Sequence, residues 1–383
     1  NQEFSDQVQQ WGQANGVDVA VENISQKDLD YKLAIAAEKG TGADIAILPA
    51  AAPVLYSHVL VDVSDVVRDI EREQGADPFW PSAAAQARVG KQWKAIPYYG
   101  HAHTFVVLKG AFDKAGIPFP DTWDQVIEYG LKLQQVGYRY PFGQSLTRSY
   151  DGIQFWNSIW WSYGGHLVKE DGTTLTFDSP ETRKVLNLVV DMYRKYRLIP
   201  PGATGWDDAA NNTIWMTGQL AMTTNSPSVY YAAKRQRPDI AEQTFHIKFP
   251  AGPVRRAAYA TAFSVGIFRE TRYPEQAKSL LRYLFRPENY RRFMVAAEGA
   301  ISPMVRSFMS DPLWSDPHLA GAVEQMPFVL YPGWPGPVTR QAAEVLNQRV
   351  MIDMVSRVVA ENLTPEASLS EALQRIKAIY GEK

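Results

Sequence analysis

Residues 156–168 of this 383-residue sequence read WNSIWWSYGGHLV, and residues 178–202 read DSPETRKVLNLVVDMYRKYRLIPPG. The second segment is typical of a well-capped helix, because Ser179 suits the N-cap and Pro180 suits the first helical position, where no amide hydrogen is needed. Apolar residues then recur at helical spacing from Val185 onward. The polar stretch that connects the two segments predicts a short hairpin.

The tryptophans of the first segment have two interpretations. Core packing accounts for most of the aromatic side chains in this region. For Trp156 and Trp160, which precede the helix, the alternative is a stacking wall for a flat-faced ligand such as a sugar ring. Both residues are therefore candidate ligand contacts.

Composition excludes several classes of function. The 39 basic and 41 acidic residues give a net charge of −2, which argues against a nucleic-acid surface. No apolar run reaches the length of a membrane span. Cysteine is absent, so disulfides, thiolate metal sites and cysteine nucleophiles are excluded together. Aromatic residues make up 12% of the chain, and many sit beside Gly, Pro, Asp or Asn, as in loops that line binding clefts.

The opening of the chain predicts an α/β layer. Val17–Val21 alternates as a strand does, Leu29–Lys39 is typical of a helix, and Asp44–Leu48 is typical of a short buried strand. Helix, strand, helix and strand in this order favour parallel strands. The long extended segment Lys94–Leu108 is a candidate crossing between two domains, which a chain of 383 residues favours.

Further helix starts carry recognisable caps. Thr122 with Gln125 three residues later predicts a capping box, and Thr364-Pro365-Glu366 predicts the start of the final helix. Pro274–Phe285 has the apolar stripe of an amphipathic helix.

Short motifs in a fixed order run along almost the whole chain. They are Gly42-Ala43-Asp44-Ile45, Ala95-Ile96-Pro97-Tyr98, Lys109–Gly116 followed by Thr122-Trp123-Asp124, Ser162-Tyr163-Gly164-Gly165, Asp178-Ser179-Pro180-Glu181, Gly218–Met222 and the loop from Tyr331 to Thr339. In this order and spacing the sequence resembles the family 1 extracellular solute-binding proteins of bacterial ABC importers, the group that contains maltose-binding protein.

The resemblance implies a two-lobed α/β fold of the periplasmic-binding-protein type, with hinge crossings and an interlobe cleft that closes on ligand. By position, lobe 1 is expected to hold residues 1–103 and 262–303, and lobe 2 residues 104–261 and 304–383. It also implies a monomer that binds a carbohydrate without chemistry, metal or cofactor. Such a protein delivers its ligand to the membrane permease subunits of an ABC transporter, from the periplasm or, exported and lipid-anchored, from the outer face of the cell membrane.

Two departures from the family limit what can be carried over. Relatives begin with a strand ahead of the first helix, whereas this sequence starts within that helix, so contacts from the following loop are not assigned. Ala50-Ala51-Ala52 stand where sugar-binding relatives often place polar residues, which argues against a dense polar clamp from the first lobe.

The strongest candidate site is Trp206-Asp207-Asp208. An aromatic face beside carboxylates suits a sugar, because ring C–H groups stack while hydroxyls donate to the carboxylate oxygens. The alternative is a packed tryptophan in a loop that enters a helix, whose positive end the two aspartates suit.

A second candidate group follows Pro97. Tyr99, His101 and His103 alternate and so face one way along a strand, while Tyr98 faces the other. In the family, residues after this proline line the cleft, so all four are candidate ligand contacts. The alternatives are hydrogen-bonded interior histidines and a two-histidine metal site, for which no third ligand is near in sequence.

The remaining candidates lie later in the chain. Tyr331 and Trp334 sit in a Pro/Gly loop that would hold a tryptophan rigidly. Arg340 can donate to hydroxyls or pair with Glu344 on its own helix. Asn225 follows a predicted strand end.

Two other functions remain open. A glycoside hydrolase would use Asp207 or Asp208 with a distant carboxylate, although no sequence feature pairs them. The same fold can also bind another solute, such as a polyamine, an amino acid derivative or a metal chelate.

Overall fold

The computed structural model describes residues 2–381, with the side chains of residues 26 and 27 outside the description. The α-helices within this range are α1 (Gln2–Asn15), α2 (Gln26–Lys39), α3 (Ala52–Leu55), α4 (Ser64–Gln74), α5 (Pro81–Ala87), α6 (Lys109–Ala115), α7 (Trp123–Gln135), α8 (Tyr150–Ser162), α9 (Pro180–Arg194), α10 (Ala210–Trp215), α11 (Ser228–Gln236), α12 (Pro238–Ala241), α13 (Pro274–Leu284), α14 (Pro287–Ala296), α15 (Ala320–Glu324), α16 (Arg340–Asn347), α17 (Val350–Glu361) and α18 (Pro365–Tyr380).

The strands within the same range are short. They are β1 (Ile45–Pro49), β2 (Arg88–Val89), β3 (Gln92–Trp93), β4 (Ile96–Ala102), β5 (Thr104–Leu108), β6 (Phe142–Gly143), β7 (Met222–Asn225), β8 (Thr244–Ile247), β9 (Ala258–Ile267), β10 (Ser302–Pro303) and β11 (Val329–Leu330). No helix in residues 2–381 combines the length and the apolar composition that a membrane crossing requires.

The capping residues expected from the sequence begin their helices. Thr122 and Gln125 form a reciprocal capping box at α7. The Ser179 hydroxyl accepts from the Thr182 amide at 3.2 Å at the start of α9. These helix starts are confirmed, because a local hydroxyl satisfies an amide that has no partner in the first turn.

The chain divides into two compact units. Unit 1 holds Asn1–Gly100 and Thr261–Leu313, and unit 2 holds His101–Ala260 and Trp314–Lys383. The first two divisions fall inside β4 and β9, whereas the third falls ten residues beyond the expected boundary at 303/304.

Unit 1 contains a mixed layer in which β1 pairs with β9 antiparallel, with Ile45 opposite Ile267. The expectation of parallel strands at the start of the chain is therefore wrong for β1. The predicted strand Val17–Val21 is also wrong, since these residues belong to no strand. Alternation supplies an apolar face, but a strand needs a paired neighbour. Here the Val17 amide donates to Gly12 O at 2.9 Å, within the turn that follows α1.

An aromatic core holds Tyr98 inside unit 1. Its ring stacks on Phe293 with 4.6 Å between centroids and meets Phe285 edge-on. The residue is 0% exposed, and the Tyr290 hydroxyl donates to its carbonyl oxygen at 2.6 Å. Tyr98 is thus a core residue, and the expectation that it contacts ligand is corrected.

Unit 2 is built around a sheet in the order β6, β7, β5, β8 and around helix α8. Strand β5 lies between β7 and β8 and is antiparallel to both. Every residue of α8 from Asp151 to Ser162 is buried, which marks a helix enclosed on all sides.

The burial of α8 decides the role of the tryptophans. Trp156 and Trp160 are 0% and 1% exposed. The Trp160 indole donates to Thr182 Oγ1 of α9 at 2.9 Å. Both rings contact protein on all sides, so core packing is the correct interpretation and the stacking wall expected at these positions is not present.

Candidate ligand-binding site

The N-terminal end of α8 is tied to the loop that carries Trp206. Ser149 caps the helix, with its hydroxyl accepting from the Gly152 amide at 3.0 Å. The carbonyl oxygen of Trp206 accepts from Thr147 Oγ1 at 2.7 Å and from Ser145 Oγ at 3.2 Å. These bonds fix the backbone of the loop while the Trp206 side chain stays only half-buried. Part of Trp206 therefore reaches solvent.

The two aspartates after Trp206 serve different elements. Asp207 Oδ1 accepts from the Ala209 amide at 3.0 Å, at the entry to α10. Asp208 Oδ1 instead accepts from the Asp151 amide at 2.9 Å, in the first turn of α8. The alternative interpretation placed both aspartates at the start of the helix that follows them, and for Asp208 that alternative is wrong. Desolvation of its carboxyl by the surrounding protein raises the pKa of Asp208, although the residue reaches solvent.

Behind Asp208 lies a buried carboxyl. Asp151 is 5% exposed, and its Oδ2 accepts from Asn211 Nδ2 at 2.8 Å. Burial, helped by the charge of Asp208, holds the pKa of Asp151 well above its ordinary value of 3.8. The Asn211 amide also donates to the Thr224 carbonyl oxygen at 3.3 Å, which connects the carboxyl to β7.

The buried side chain of His103 lies next to the carboxyl of Asp151. It is 4% exposed, and its Nε2 lies 3.5 Å from Asp151 Oδ1. Burial lowers the pKa of His103 to about 3, with smaller contributions from His101 and His246. Burial likewise lowers the pKa of His101 to about 4. Both imidazoles are therefore neutral near pH 7, and the His103–Asp151 contact is not a pair of opposite charges.

Asn225 joins the same group from the end of β7. It lies opposite Thr104 in the pairing of β5 with β7. Its Nδ2 donates to Asn212 Oδ1, and its own Oδ1 accepts from the Ser226 amide at 2.8 Å. We call this group the α8 cluster; its members are Trp206, Asp207, Asp208, Asp151, Asn211, Asn212, Asn225 and His103.

The α8 cluster combines an aromatic face with amide and carboxyl groups. Amides supply both donors and acceptors, and carboxylates accept from hydroxyls. Among the residues that the structure describes, no three His, Asp or Glu side chains are grouped as a metal ion would require. The cluster therefore offers hydrogen-bond donors and acceptors together with an aromatic side chain.

Comparison with known proteins decides the family. A family model described as bacterial extracellular solute-binding protein matches residues 1–291. The chain belongs to this family. A relative from Sinorhizobium fredii, named "Probable amino-acid ABC transporter periplasmic-binding protein y4oP", is 24% identical over 96% of this chain and 83% of its own.

Solved structures share the fold of this solute-binding protein. An ABC transporter solute-binding protein from Thermotoga lettingae TMO, bound with alpha-D-tagatose, has a TM-score of 0.85 at 21% identity and covers 99% of this chain and 96% of that one. Maltose-bound T. maritima MalE3 has a TM-score of 0.84 at 20% identity, with the same coverage of both chains. The fold is therefore that of two-lobed periplasmic solute-binding proteins.

Other expected contacts of this solute-binding protein lie away from the α8 cluster. Trp334 is half-buried, and the Arg255 guanidinium covers one face of its ring at 4.4 Å. The Arg255 amide donates to the carbonyl oxygen of Ser162, the last residue of α8, at 3.2 Å. Trp206 is tied to the opposite end of this 13-residue helix, which is about 20 Å long. The structure does not bring the two tryptophans together.

Three further candidates are placed as follows. Tyr331 is half-buried, and burial raises its pKa. Arg340 is exposed and is the first residue of α16, which Thr339 caps. Tyr99 belongs to unit 1, where its ring stacks on Phe263 with 4.8 Å between centroids.

Sequence reasoning missed the buried polar residues of α8. Asp151 and Gln154 are three positions apart and share one face of the helix, and they are 5% and 1% exposed. An acidic residue just after Ser149 has the pattern of an ordinary capped helix start. Asp151, Gln154, Ser158 and Ser162 share one polar side of α8, which in the sequence has the pattern of a solvent-facing side, so no local signal showed that it is buried.

Proposed function

We propose that this solute-binding protein binds a sugar or a short oligosaccharide and passes it, unaltered, to an ABC importer. The observation that carries the proposal is that half-buried Trp206 lies in the same loop as Asp207 and Asp208, and that this loop is tied to the start of α8. A sugar presents C–H groups on the faces of its ring and hydroxyls around its edge. The indole suits the first and the polar side chains suit the second.

The relatives support a small polar solute but differ in its class. The two related structures carry tagatose and maltose, whereas the Sinorhizobium relative is named for amino acids. An amino acid presents an ammonium and a carboxylate together, which favours a site with paired opposite charges. The α8 cluster has carboxyls, amides and a neutral imidazole, and the nearby charge of Arg349 acts on Asp208. We propose an uncharged polyhydroxyl ligand because the exposed members, Asp207 and Asp208, can accept hydrogen bonds from hydroxyls.

Glycoside hydrolysis is the second candidate function, and the hydrogen bonds of the three aspartates in the α8 cluster disfavour it. Glycosidases need one carboxyl group as acid and another as base or nucleophile on either side of the scissile bond. In the α8 cluster, Asp207 accepts from the Ala209 amide, Asp208 from the Asp151 amide, and Asp151 from Asn211. These bonds keep Asp151 in the interior, 5% exposed, and hold Asp207 and Asp208 next to each other in one loop rather than on either side of a bond, so we propose binding without turnover.

The proposal includes the protein's surroundings. As a member of the extracellular solute-binding family, the protein acts outside the cytoplasmic membrane, and we propose permease subunits of an ABC transporter as its partner. We also propose that the protein is a monomer and that it binds no nucleic acid, and the net charge of −2 fits the second of these. Attachment through a lipid stays a prediction.

Calorimetry tests the ligand class directly. The whole chain is titrated with monosaccharides, disaccharides and longer oligosaccharides, and with a matched panel of amino acids. We expect at least one sugar to bind with a Kd near 1 μM or below, about −8 kcal/mol, and chromatography to return it unchanged. Heat of binding from amino acids together with none from any sugar would overturn the sugar assignment. Release of reducing sugar would instead support the glycoside hydrolase function.

A further inference from the structure

Gln154, one turn into α8, lies at the centre of three hydrogen bonds in unit 2. The residue is 1% exposed. Oriented by its partners, its amide nitrogen donates to His101 O at 3.2 Å and to Tyr259 O at 3.1 Å, and its amide oxygen accepts from His103 Nε2 at 3.1 Å. Both amide hydrogens and one of the two lone pairs of the amide oxygen are thus directed at backbone or ring atoms.

The two carbonyl groups belong to the strands by which the chain enters and leaves this part of unit 2. His101 is the first residue of unit 2, and Tyr259 precedes Ala260, the last residue of the same segment. A second bond joins α8 to the strand of Tyr259, because the Tyr259 amide donates to Ser158 Oγ at 3.0 Å. Gln154 therefore joins both strand ends to one buried helix.

The third bond fixes the state of His103. An Nε2 that donates to an amide oxygen carries the proton, so Nδ1 is left as the bare acceptor nitrogen. The competing acceptor, Asp151 Oδ1, is farther away at 3.5 Å. The titratable groups that face His103 are Asp151, His101 and His246, and the structure gives His103 no cationic neighbour among them at neutral pH.

We infer that Gln154 is a positioning residue: it holds His103 in the neutral, Nε2-protonated form and fixes the strand ends at His101 and Tyr259 against the α8 cluster. Only the ligand-binding consequence rests on the proposed function. The role itself is a property of the ligand-free protein and is measurable without any sugar.

Nitrogen-15 NMR of the ligand-free whole protein tests the role. In the wild type we expect the two-bond correlations of His103 to report a proton on Nε2 and none on Nδ1. In Gln154→Glu, a carboxylate replaces the amide oxygen beside Nε2, so His103 should titrate at least about one pH unit higher than in the wild type. A proton on Nδ1 in the wild type would overturn the inference, even if no variant folds.

Gln86→Glu is the matched control. Gln86 is also 1% exposed and helical, but its amide donates to Ser82 O at 2.9 Å within its own helix in unit 1. A general loss of packing would affect both variants alike, whereas only Gln154→Glu should move the titration of His103. Equal titration of His103 in both variants would contradict the inference.

A binding measurement separates this role from the proposed function. With D-tagatose and maltose as probes, Gln154→Glu should weaken whichever binding the wild type shows by about tenfold, as expected for a lost set of buried hydrogen bonds, and Gln86→Glu by less than about twofold. If Gln154→Glu binds the sugar as tightly as the wild type does, the claim that Gln154 contributes to ligand affinity is overturned. If the NMR results hold while the wild type binds no sugar, the proposed function fails and the positioning role stands.

Discussion

The carboxylate of Asp208 accepts a hydrogen bond from the backbone amide of Asp151, with 2.9 Å between Oδ1 and N. The amide belongs to the first turn of α8, where backbone donors have no partner within the helix. A residue 57 positions later in the chain thus supplies the hydrogen-bond acceptor that a local capping residue supplies in other helices. The loop that carries Trp206 is held to the buried helix by this bond.

Loss of this bond should destabilise the protein measurably. In Asp208→Ala we expect the free energy of unfolding to fall by about 1 kcal/mol, the usual cost of removing a helix N-cap acceptor. Asp208→Asn keeps an oxygen acceptor and should lose less than half of that. Urea unfolding of the three proteins measures the difference, and equal stability of the alanine and asparagine variants would contradict a capping role for Asp208.

Trp206 should contribute to affinity rather than to the fold. Because its side chain is half-buried, Trp206→Ala is expected to weaken sugar binding by about tenfold or more, roughly 1.4 kcal/mol, while the melting temperature changes little. Trp334→Ala is the matched control, since that ring is half-buried at the other end of α8. We expect the affinity of Trp334→Ala to stay within about twofold of the wild type. A large loss in Trp334→Ala with none in Trp206→Ala would place the binding site at Trp334 instead.

Buried histidines should make the protein sensitive to acid. Burial lowers the pKa of His246 to about 3 from 6.5, and Thr104 Oγ1 lies 2.5 Å from its Nδ1. The unfolded chain takes up a proton below pH 6.5 that the folded chain refuses until about pH 3. The free energy of unfolding therefore falls as the pH drops through this window, by up to about 1.4 kcal/mol per pH unit for one such histidine.

The measurement is the stability of His246→Gln between pH 6.5 and pH 4. Relative to the wild type, its free energy of unfolding should depend less steeply on pH. His58→Gln serves as the control because His58 is exposed, and it should keep the wild-type slope. A wild-type slope in His246→Gln would show that His246 is protonated alike in the folded and unfolded chain.

Gly321 permits the close approach of α15 to β8. A Cβ at this position would lie 2.3 Å from the backbone carbon of Ile247 and 2.5 Å from His246 O, and backbone atoms cannot turn aside as side chains do. Gly321→Ala is therefore expected to lower the free energy of unfolding by about 1–3 kcal/mol. Gly205→Ala, where a Cβ meets nothing within 4 Å, should change it by less than about 0.5 kcal/mol. Unaltered stability of Gly321→Ala would contradict the close packing of α15 on β8.

Much of the local structure was predictable because its causes are local. Ser179, Thr122 and Thr364 each accept from an amide three residues later, and all three helix starts follow from short sequence patterns. Val17–Val21 shows the limit of that reasoning. Its alternation is real, yet its strand would need a partner that the sequence pattern does not supply.

The site was predictable in part, because its exposed members stand beside one another in the sequence. Trp206, Asp207 and Asp208 form a visible motif, and whether they bind ligand stays a prediction. Asp151 and Gln154 were not predictable, since their roles depend on a helix that tertiary packing encloses on every side. For the same reason Trp156 and Trp160 resembled a binding wall but lie in the core.

A crystal structure of the protein grown with its tightest-binding sugar tests the proposed ligand contacts. We expect density for an intact sugar with one ring face on the Trp206 indole and hydroxyls within hydrogen-bonding distance of Asp207, Asp208 or Asn225. Density for a cleaved product, for an amino acid, or for a sugar that contacts none of these residues would contradict this expectation.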